Sequence, residues 1–309
     1  MSYDYIIVGA GSAGCVLANR LSSDSTIRVL VLEAGGPDIN PWIHVPVGYF
    51  KTLHNPKTDW CYKAAPDPGL NGRSLDWPRG KTLGGSSSIN GLLYVRGQKE
   101  DYDQWAQMGN KGWAYDDVLP LFKRSERHEN GGDGLHGGDG GLDVSLIRAK
   151  SDIAEAFIEA AVEMGVPRKD DYNGEDQESA GYFHQTAKSG FRCSSAKAFL
   201  NPAKSRKNLD LVTHAHTQRV VFSDTDAKQA VGVEYKRKGK TEIARLRDGG
   251  EVILSAGAIG SPQLLELSGI GQGETLSNAG IAVRHELNGV GEHLQDHHRE
   301  MIVLAGQHH

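Results

Sequence analysis

The chain opens with 4-DYIIVGAGSAGCVLANRL-21, and a second apolar run follows that ends in 33-EAGG-36. An apolar strand passes without a gap into glycines spaced as GxGxxG, and apolar residues at helical spacing continue to Leu21. The run from Ile27 to Leu32 indicates a second strand that finishes at Glu33. This pattern is typical of a dinucleotide-binding βαβ unit, which consists of a strand, a glycine turn, a helix and a second strand that ends in an acid. The unit predicts an α/β fold with a Rossmann-like domain, and by itself it leaves NAD and FAD as alternatives.

Each glycine of the motif has its own expected role. Gly9 allows the tight turn, Gly11 allows a pyrophosphate to approach the backbone, and Gly14 allows the helix to pack closely on the strand. The N-terminus of the helix offers free N–H groups and a positive dipole to the phosphates. Glu33 is placed to accept hydrogen bonds from a ribose diol.

Composition places the chain among soluble globular proteins. Its 309 residues suggest two domains, and its 38% hydrophobic and 24% charged residues are ordinary for that class. A net charge of −5 without a basic run argues against a nucleic-acid partner. No apolar run is long enough for a membrane span, and the chain enters its first strand without a secretion signal. We expect a cytoplasmic protein, and peripheral association with a membrane remains compatible with the sequence.

Neither a metal site nor a P-loop is predicted. The three cysteines, Cys15, Cys61 and Cys193, are far apart, which argues against a disulfide framework or structural zinc. The 80–82 segment resembles the end of a P-loop, but position 75 is leucine where the motif requires glycine. His293 and His297 have zinc-compatible spacing but no obvious third ligand, so solvated or site-lining histidines are the favoured interpretation.

A second glycine cluster, 77-WPRGKTLGGSSSINGLLYVRG-97, narrows the function. Such a segment is rich in backbone and poor in side chains, so it can lie flat against a large planar ligand. Here the sequence resembles the glucose–methanol–choline (GMC) family of FAD-dependent oxidoreductases. Residues 80–103 fit that family's first signature, and 257-GAIGSPQLLELSGIG-271 fits its second. The resemblance covers essentially the whole chain and is strongest to bacterial alcohol and choline dehydrogenases.

The resemblance implies that the dinucleotide is FAD. Some family members attach FAD through a histidine, but that position is Ile89 here, so we expect noncovalent FAD. The backbone of Val220 matches the position that meets adenine. The implied FAD-binding residues are Gly9, Gly11, Ser12, Ala13 and Gly14 at the pyrophosphate, Glu33 and Ala34 at the adenosine ribose, Gly84, Gly85, Ser86, Asn90, Gly91, Leu92 and Leu93 along the pyrophosphate, ribityl chain and flavin, and Val220.

The chain divides into three predicted parts. Residues 1–143 form the first part of the FAD-binding domain, with a proline-rich excursion at 36–77 that crosses the surface or covers the flavin. Residues 144–248 form part of an α+β substrate domain with an antiparallel sheet, and their strands return towards the FAD domain. Residues 249–309 re-enter the FAD domain, which is therefore discontinuous.

Local patterns predict the elements of the second and third parts. Asp152 is the expected N-cap of an amphipathic helix, and Ser261 with Pro262 marks the start of another. The amphipathic helix ends at Gly165. Its apolar face consists of Ile153, Phe157, Ala160, Ala161 and Met164, and the predicted antiparallel strands are 209–213, 219–222, 230–236 and 241–246.

The resemblance also implies a reaction. Family members remove the hydroxyl proton of an alcohol and transfer hydride from its carbon to the flavin, with a histidine near the C-terminus as base. This chain stops at His309, and nothing around His308 and His309 matches that motif, so no catalytic residue is assigned. We expect a truncated, nearly inactive form whose uncovered surfaces are exposed. The expected acceptor of the electrons is a quinone, an artificial acceptor or oxygen.

Two alternatives belong to other classes of protein. One is a noncatalytic or partner-completed FAD-binding subunit, and the other is an FAD-containing lyase of the same family. An NAD dehydrogenase is the least favoured, because the second glycine cluster would then have no role.

Overall fold

The structure is a computed structural model that describes residues 2–226 and 228–296. Its strands follow the sequence as β1 Ser2–Val8, β2 Val29–Leu32, β3 Tyr62–Lys63, β4 Asp76–Trp77, β5 Leu93–Tyr94, β6 Glu126–His128, β7 Leu142–Val144, β8 His184–Gln185, β9 Ala187–Lys188, β10 Phe191–Arg192, β11 Leu209–Val212, β12 His216–Phe222, β13 Ala230–Arg237, β14 Lys240–Leu254, β15 Ile270–Gly271 and β16 His285–Glu286. The α-helices are α1 Ser12–Leu21, α2 Pro41–His44, α3 Tyr49–Thr52, α4 Lys99–Gln107, α5 Tyr115–Ser125, α6 Asp152–Glu163, α7 Asn201–Ala203, α8 Gly257–Leu267 and α9 Gly273–Asn278.

A six-stranded mixed sheet organises the chain, in the order β11-β2-β1-β14-β13-β12. Strands β11, β2, β1 and the last part of β14 run parallel to one another, whereas β13 pairs antiparallel with β12 and with the first part of β14. The 15-residue β14 joins the two halves, because its first part pairs with β13 and its last part pairs with β1. The predicted α/β class, with parallel and antiparallel pairing, is confirmed.

The two faces of this sheet carry two separate cores, as the period-two alternation of a strand requires. On one face, Ile7 and Val31 pack against Cys15 of α1 and the helical turns around Phe199. On the other, the intervening strand residues pack against β13 and against Leu264 of α8. Helices therefore cover both faces of the parallel half, which places the carboxyl ends of β1, β2 and β14 together at one edge.

Three local predictions differ from the structure. Residues of β11 pair parallel with β2 in the Rossmann sheet, where an antiparallel strand was expected. Helix α6 is capped by Ser151, whose Oγ accepts the N–H of Ala154 at 3.2 Å, and not by Asp152. Helix α8 begins at Gly257, before the predicted start at Ser261, whose hydroxyl instead accepts the N–H of Ala256.

The predicted apolar face of α6 is largely exposed. Ile153 is 73% exposed and Met164 is 86% exposed, while Ile158 on another side of the helix is buried. The periodicity predicted the helix correctly, but not what packs against its apolar face. The division into three domain parts stays a prediction, although β12, β13 and β14 lie in the same sheet as β1. Within the described residues, none of the helices combines the length and apolarity that a membrane crossing needs.

Candidate dinucleotide site

The opening glycine turn requires glycine at two of its three positions. Gly9 has φ +98°, and a Cβ there would lie 2.5 Å from the carbonyl oxygen of Ser255. A Cβ on Gly14 would lie 1.9 Å from the carbonyl oxygen of Gly9, so a side chain would push α1 away from the turn. Gly11 is different, since its nearest neighbour would be the Cα of Gly85 at 3.9 Å. A Cβ on Gly11 would therefore have only ordinary van der Waals contacts, so the fold itself does not require glycine here.

The N-terminus of helix α1 faces the space beside Gly11. Its N-cap is Gly11, which offers no side chain to the first-turn amides, and there is no acidic residue in that turn. The N–H groups of Ser12 and Ala13 have no acceptor within the helix, as is general for a first turn. Free N–H groups and the positive end of the helix dipole together form a binding position for an anion.

Glu33 is a buried acid at the end of β2, with 6% of its surface exposed. Its Oε2 accepts the N–H of Ala10 at 2.8 Å and its Oε1 accepts the N–H of Gly35 at 2.8 Å. Burial raises its pKa to about 7, although both backbone hydrogen bonds and the charge of Lys81 favour the ionised form. Each oxygen uses one lone pair for the backbone and keeps another for a ligand hydroxyl.

These features surround one cavity of about 620 Å³, which is within the range of small-molecule and cofactor sites. Eight of the sequence-predicted residues line it, namely Gly9, Gly11, Ser12, Ala13, Glu33, Ala34, Gly85 and Ser86. The sequence analysis missed the other walls, which come from Trp60, Tyr62, Arg79, His216, Thr217, Gln218, the 254–261 segment, Leu264 and Leu267. Trp60 and Tyr62 belong to the proline-rich excursion, so that excursion forms one wall of the cavity.

The second glycine cluster meets the first glycine turn backbone to backbone. The N–H of Gly84 donates to the carbonyl of Ala10 at 2.8 Å. A Cβ on Gly85 would lie 2.7 Å from the Cα of Gly11, and Gly85 has φ +54°. The two clusters, separated by seventy residues of sequence, are thus in direct contact at the cavity. This contact could not be read from either motif alone.

The rest of the second cluster continues outside the cavity walls. Asn90 and Gly91 are exposed, Leu92 is buried, and Leu93 is 51% exposed at the start of β5. Leu92 has φ +64°, which is rare for a bulky residue and is usually maintained at functional positions. Its carbonyl accepts the N–H of Thr186 at 2.8 Å, which fixes the turn.

Val220 lies away from the cavity walls. Its backbone N–H donates to Ser268 Oγ at 2.9 Å, and its side chain is buried. Within the same strand, residues 216–218 line the cavity instead. The proposed adenine contact at Val220 stays a prediction. The prediction for His297 falls outside the described residues, and among the described ones no group of three or more His, Cys, Asp or Glu side chains has an arrangement that could hold a metal ion.

A separate ionic network is buried elsewhere and was not anticipated. Glu126 receives Arg96 Nη2 at 2.6 Å and His136 Nδ1 at 2.9 Å, while His136 Nε2 lies 2.8 Å from Asp171 Oδ2. Hydrogen bonds to Asp171 and Glu126 raise the pKa of His136 to about 9. Burial alone would raise the pKa of Asp171, but His136 and a backbone N–H lower it to about 2. The network joins three distant segments of the chain, and its residues are not among those that line the cavity described above.

Comparison with known proteins now identifies the family. The sequence model of the GMC oxidoreductases matches residues 3–299. This chain belongs to the GMC oxidoreductase family. Alcohol dehydrogenase [acceptor] from Pseudomonas putida is 48% identical over 296 residues, which cover 96% of this chain and 53% of that protein. Oxygen-dependent choline dehydrogenase from Photobacterium profundum is 47% identical, over 96% of this chain and 52% of that protein.

Solved structures agree with the family assignment. Pyridoxine 4-oxidase from Mesorbium loti has a TM-score of 0.85 at 33% identity, over 92% of this chain and 55% of that one. An FAD-dependent oxidoreductase from Chaetomium thermophilum has a TM-score of 0.87 at 31% identity, over 96% of this chain and 52% of that one. The chain thus spans about half the length of the relatives it matches. The GMC family and these neighbours support FAD as the dinucleotide of this GMC chain.

Proposed function

We propose that this chain binds FAD noncovalently in the 620 Å³ cavity and forms the cofactor-holding part of a protein that oxidises alcohols. The observation that carries the proposal is the convergence of three features on one cavity. These are the free N-terminus of α1, the buried acid Glu33, and the second glycine cluster at Gly85. A dinucleotide needs all three kinds of contact, whereas a mononucleotide or a phosphate alone would leave the second cluster without a ligand.

The donor set fits the parts of FAD. The N–H groups of Ser12 and Ala13 would hold the pyrophosphate, and Gly11 would let it approach because no side chain fills that space. Glu33 would accept the ribose hydroxyls with the lone pairs that Ala10 and Gly35 leave free. Exposed backbone at Asn90 and Gly91 would face the flavin end.

Ile89 supports the noncovalent mode. Its side chain is buried and purely hydrocarbon, so it offers no nucleophile at the position where some relatives carry the linking histidine. FAD accepts the hydride of the alcohol when it is bound, and that is the chemistry it supplies. The residues of this chain bind and orient the cofactor, and none of them is assigned as the base. We propose a small alcohol as substrate, and a quinone, an artificial acceptor or oxygen as the electron acceptor.

A partner-completed FAD-binding subunit is the second candidate. The exposed apolar side chains of Ile153 and Phe157 on α6, and of Met164 directly after it, favour this candidate, because apolar surface of this kind is usually covered by another polypeptide. Both candidates predict almost no turnover by this chain alone. In the first, primary alcohols are oxidised with an artificial acceptor only when the C-terminal half of a relative is fused to this chain, whereas in the second a separately added half restores turnover.

The cofactor claim is tested with Gly11→Ala. A Cβ on Gly11 has only ordinary contacts in the structure, so the variant should fold like the parent chain. It projects where the pyrophosphate must approach, and we expect FAD affinity to fall by roughly tenfold or more, or about 1.4 kcal/mol. Gly134→Ala is the matched control, because a Cβ there meets nothing within 4 Å and lies far from the motif in sequence.

Flavin fluorescence titration measures the affinity of each variant, and acid precipitation tests the noncovalent mode. We expect all flavin to remain in the supernatant after precipitation. Unchanged affinity in Gly11→Ala, or flavin retained in the precipitate, contradicts the respective part of the proposal.

A further inference from the structure

Arg192 is completely buried, and its guanidinium donates hydrogen bonds to the second glycine cluster. Its Nε donates to the carbonyl of Ile43 at 2.8 Å, and its Nη1 donates to the carbonyl of Ser87 at 3.1 Å. Nη1 also donates to Asn90 Oδ1 at 2.7 Å, and Nη2 donates to the backbone carbonyl of Asn90 at 2.8 Å. Two of these four hydrogen bonds fix the backbone and the side chain of Asn90, and the other two bind the backbone of Ile43 and Ser87.

All of these acceptors are neutral. Among the described residues, no carboxylate lies within ion-pair distance of the Arg192 guanidinium. Burial lowers its pKa to about 10, which still leaves it protonated at neutral pH. An unpaired buried charge is costly to folding, so a simple structural clamp would be made more cheaply by neutral groups. The cost of burying this charge therefore indicates that the charge itself has a function.

The charge acts on one peptide group that faces open space. Peptide bonds in the described chain are trans, so the N–H of Gly91 points away from the Asn90 carbonyl that Arg192 holds. Gly91 is exposed, a Cβ on it would meet nothing within 4 Å, and its N–H donates no hydrogen bond within the described residues. A cation on the carbonyl oxygen makes the N–H on the other side of the same peptide a stronger donor.

We propose that Arg192 is a positioning residue that polarises the Asn90–Gly91 peptide, so that the Gly91 N–H is presented to the cofactor as a strengthened hydrogen-bond donor. The proposal rests on the proposed binding of FAD. The strained turn at Leu92, with φ +64° and its carbonyl fixed by Thr186, keeps this peptide in place from the other side. Arg192 would act on the cofactor through the peptide and not by contact.

Hydrogen exchange distinguishes polarisation from a purely structural role. Exchange of a free amide is catalysed by hydroxide and speeds up when a nearby cation makes the N–H more acidic. If Arg192 only clamped the segment, its loss would leave the exchange of Gly91 unchanged or make it faster. If Arg192 polarises the peptide, its loss must slow that exchange.

Labelling asparagine with ¹³C at the carbonyl and glycine with ¹⁵N isolates this amide by NMR. The sequence contains five Asn–Gly pairs, so the spectrum has five signals, and Gly91→Ala identifies the relevant one by its loss. The other four are internal controls: Gly72, Gly131, Gly174 and Gly289.

In the 309-residue chain without cofactor, we expect Gly91 to exchange about tenfold faster than an Asn–Gly amide in a short unstructured peptide. A factor of that order corresponds to one unit charge acting over about 10 Å at an effective dielectric constant near 20. Arg192→Lys should keep the fast exchange, and Arg192→Gln should bring it to the peptide value. A parent-chain rate at or below the peptide value overturns the proposal, even if Arg192→Gln does not fold.

Adding FAD tests the second half of the proposal. Flavin absorbance in the eluted complex establishes binding, and the Gly91 signal must then exchange more slowly while the Gly131 signal does not change. FAD that binds without protecting Gly91 overturns the assignment of this donor to the cofactor. Absence of bound flavin refutes the proposed function and the choice of ligand, while the exchange rates without cofactor still decide whether Arg192 polarises the peptide. In the complex, Arg192→Gln should lower the two-electron reduction potential of the flavin by about 30 mV, which corresponds to a tenfold change in the equilibrium constant for its reduction.

Discussion

Replacing Glu33 with glutamine should remove a pH dependence of stability that the buried acid creates. The folded-state pKa of Glu33 is about 7, against an ordinary value of 4.5, because burial disfavours its charge. A raised folded-state pKa means that the folded chain binds more protons than the unfolded chain between these values, so stability falls as pH rises. For pKa values of 4.5 and about 7, the loss between pH 5 and pH 8 is about 2.5 kcal/mol.

Glu33→Gln has the same shape but does not titrate. Its amide nitrogen faces one of the two backbone N–H groups, of Ala10 or Gly35, and that mismatch costs about 1–3 kcal/mol at every pH. We therefore expect the variant to be less stable than the parent chain at pH 5 and similar to it at pH 8.

Urea denaturation of both proteins at several pH values from 5 to 8 measures this difference directly. Because only the difference between the two proteins matters, the titration of other groups cancels. A difference that stays constant over the whole range would show that Glu33 titrates as an exposed acid does, and would refute the account of its burial. A ¹³C carboxyl titration of the parent chain provides an independent check on the midpoint.

Two further perturbations test the turn and the ionic network. Gly14→Ala should destabilise the chain by about 2–3 kcal/mol, because its Cβ would lie 1.9 Å from a backbone carbonyl, whereas Gly134→Ala should stay within about 0.5 kcal/mol in the same thermal melts. His136→Gln should cost about 3 kcal/mol at pH 6, since it leaves the carboxylates of Glu126 and Asp171 without a shared partner. The contribution of His136 to folding stability is complete below its ordinary pKa of 6.5 and is lost as pH rises through about 9. The contribution of Asp171 to folding stability is complete above its ordinary pKa of 3.8 and is lost as pH falls towards 2. Equal melting temperatures of the parent chain and His136→Gln at pH 6 would contradict this reading.

The parts of the fold that were predicted are those set by local geometry. The conformation of Gly9 and the contact under Gly14 belong to a few consecutive residues, so a single motif encodes them. The direction of β11 is not encoded in this way, because alternating side chains are the same in parallel and antiparallel strands. The cap of α6 was misplaced by one residue for a related reason. Ser151 and Asp152 are both good N-caps, and only the tertiary structure chooses between them.

The site was predicted only where it is built from sequence neighbours. Gly11 and Gly85 could be recognised as ligand-facing backbone within their own motifs, but not as contacts of each other. Residues 216–218 carry no motif, and they reach the cavity only because β12 joins the far end of the sheet. Arg192 gave no signal of its own, since a buried arginine looks like any surface arginine until its partners are known.

The two buried charges near the predicted cofactor contacts share one physical property. Glu33 is an acid whose pKa is raised by burial, and Arg192 is a base whose pKa is lowered by burial. Neither has an ion-pair partner among the described residues, so Glu33 is held by two backbone N–H groups and Arg192 by backbone carbonyls and the side-chain amide oxygen of Asn90. A stable scaffold would replace such charges with neutral residues, because both cost folding free energy. Functional sites keep costly buried charges when a bound ligand compensates for their cost. A cofactor with hydroxyls at one end and an electron-accepting ring at the other would compensate for the buried charges of both Glu33 and Arg192.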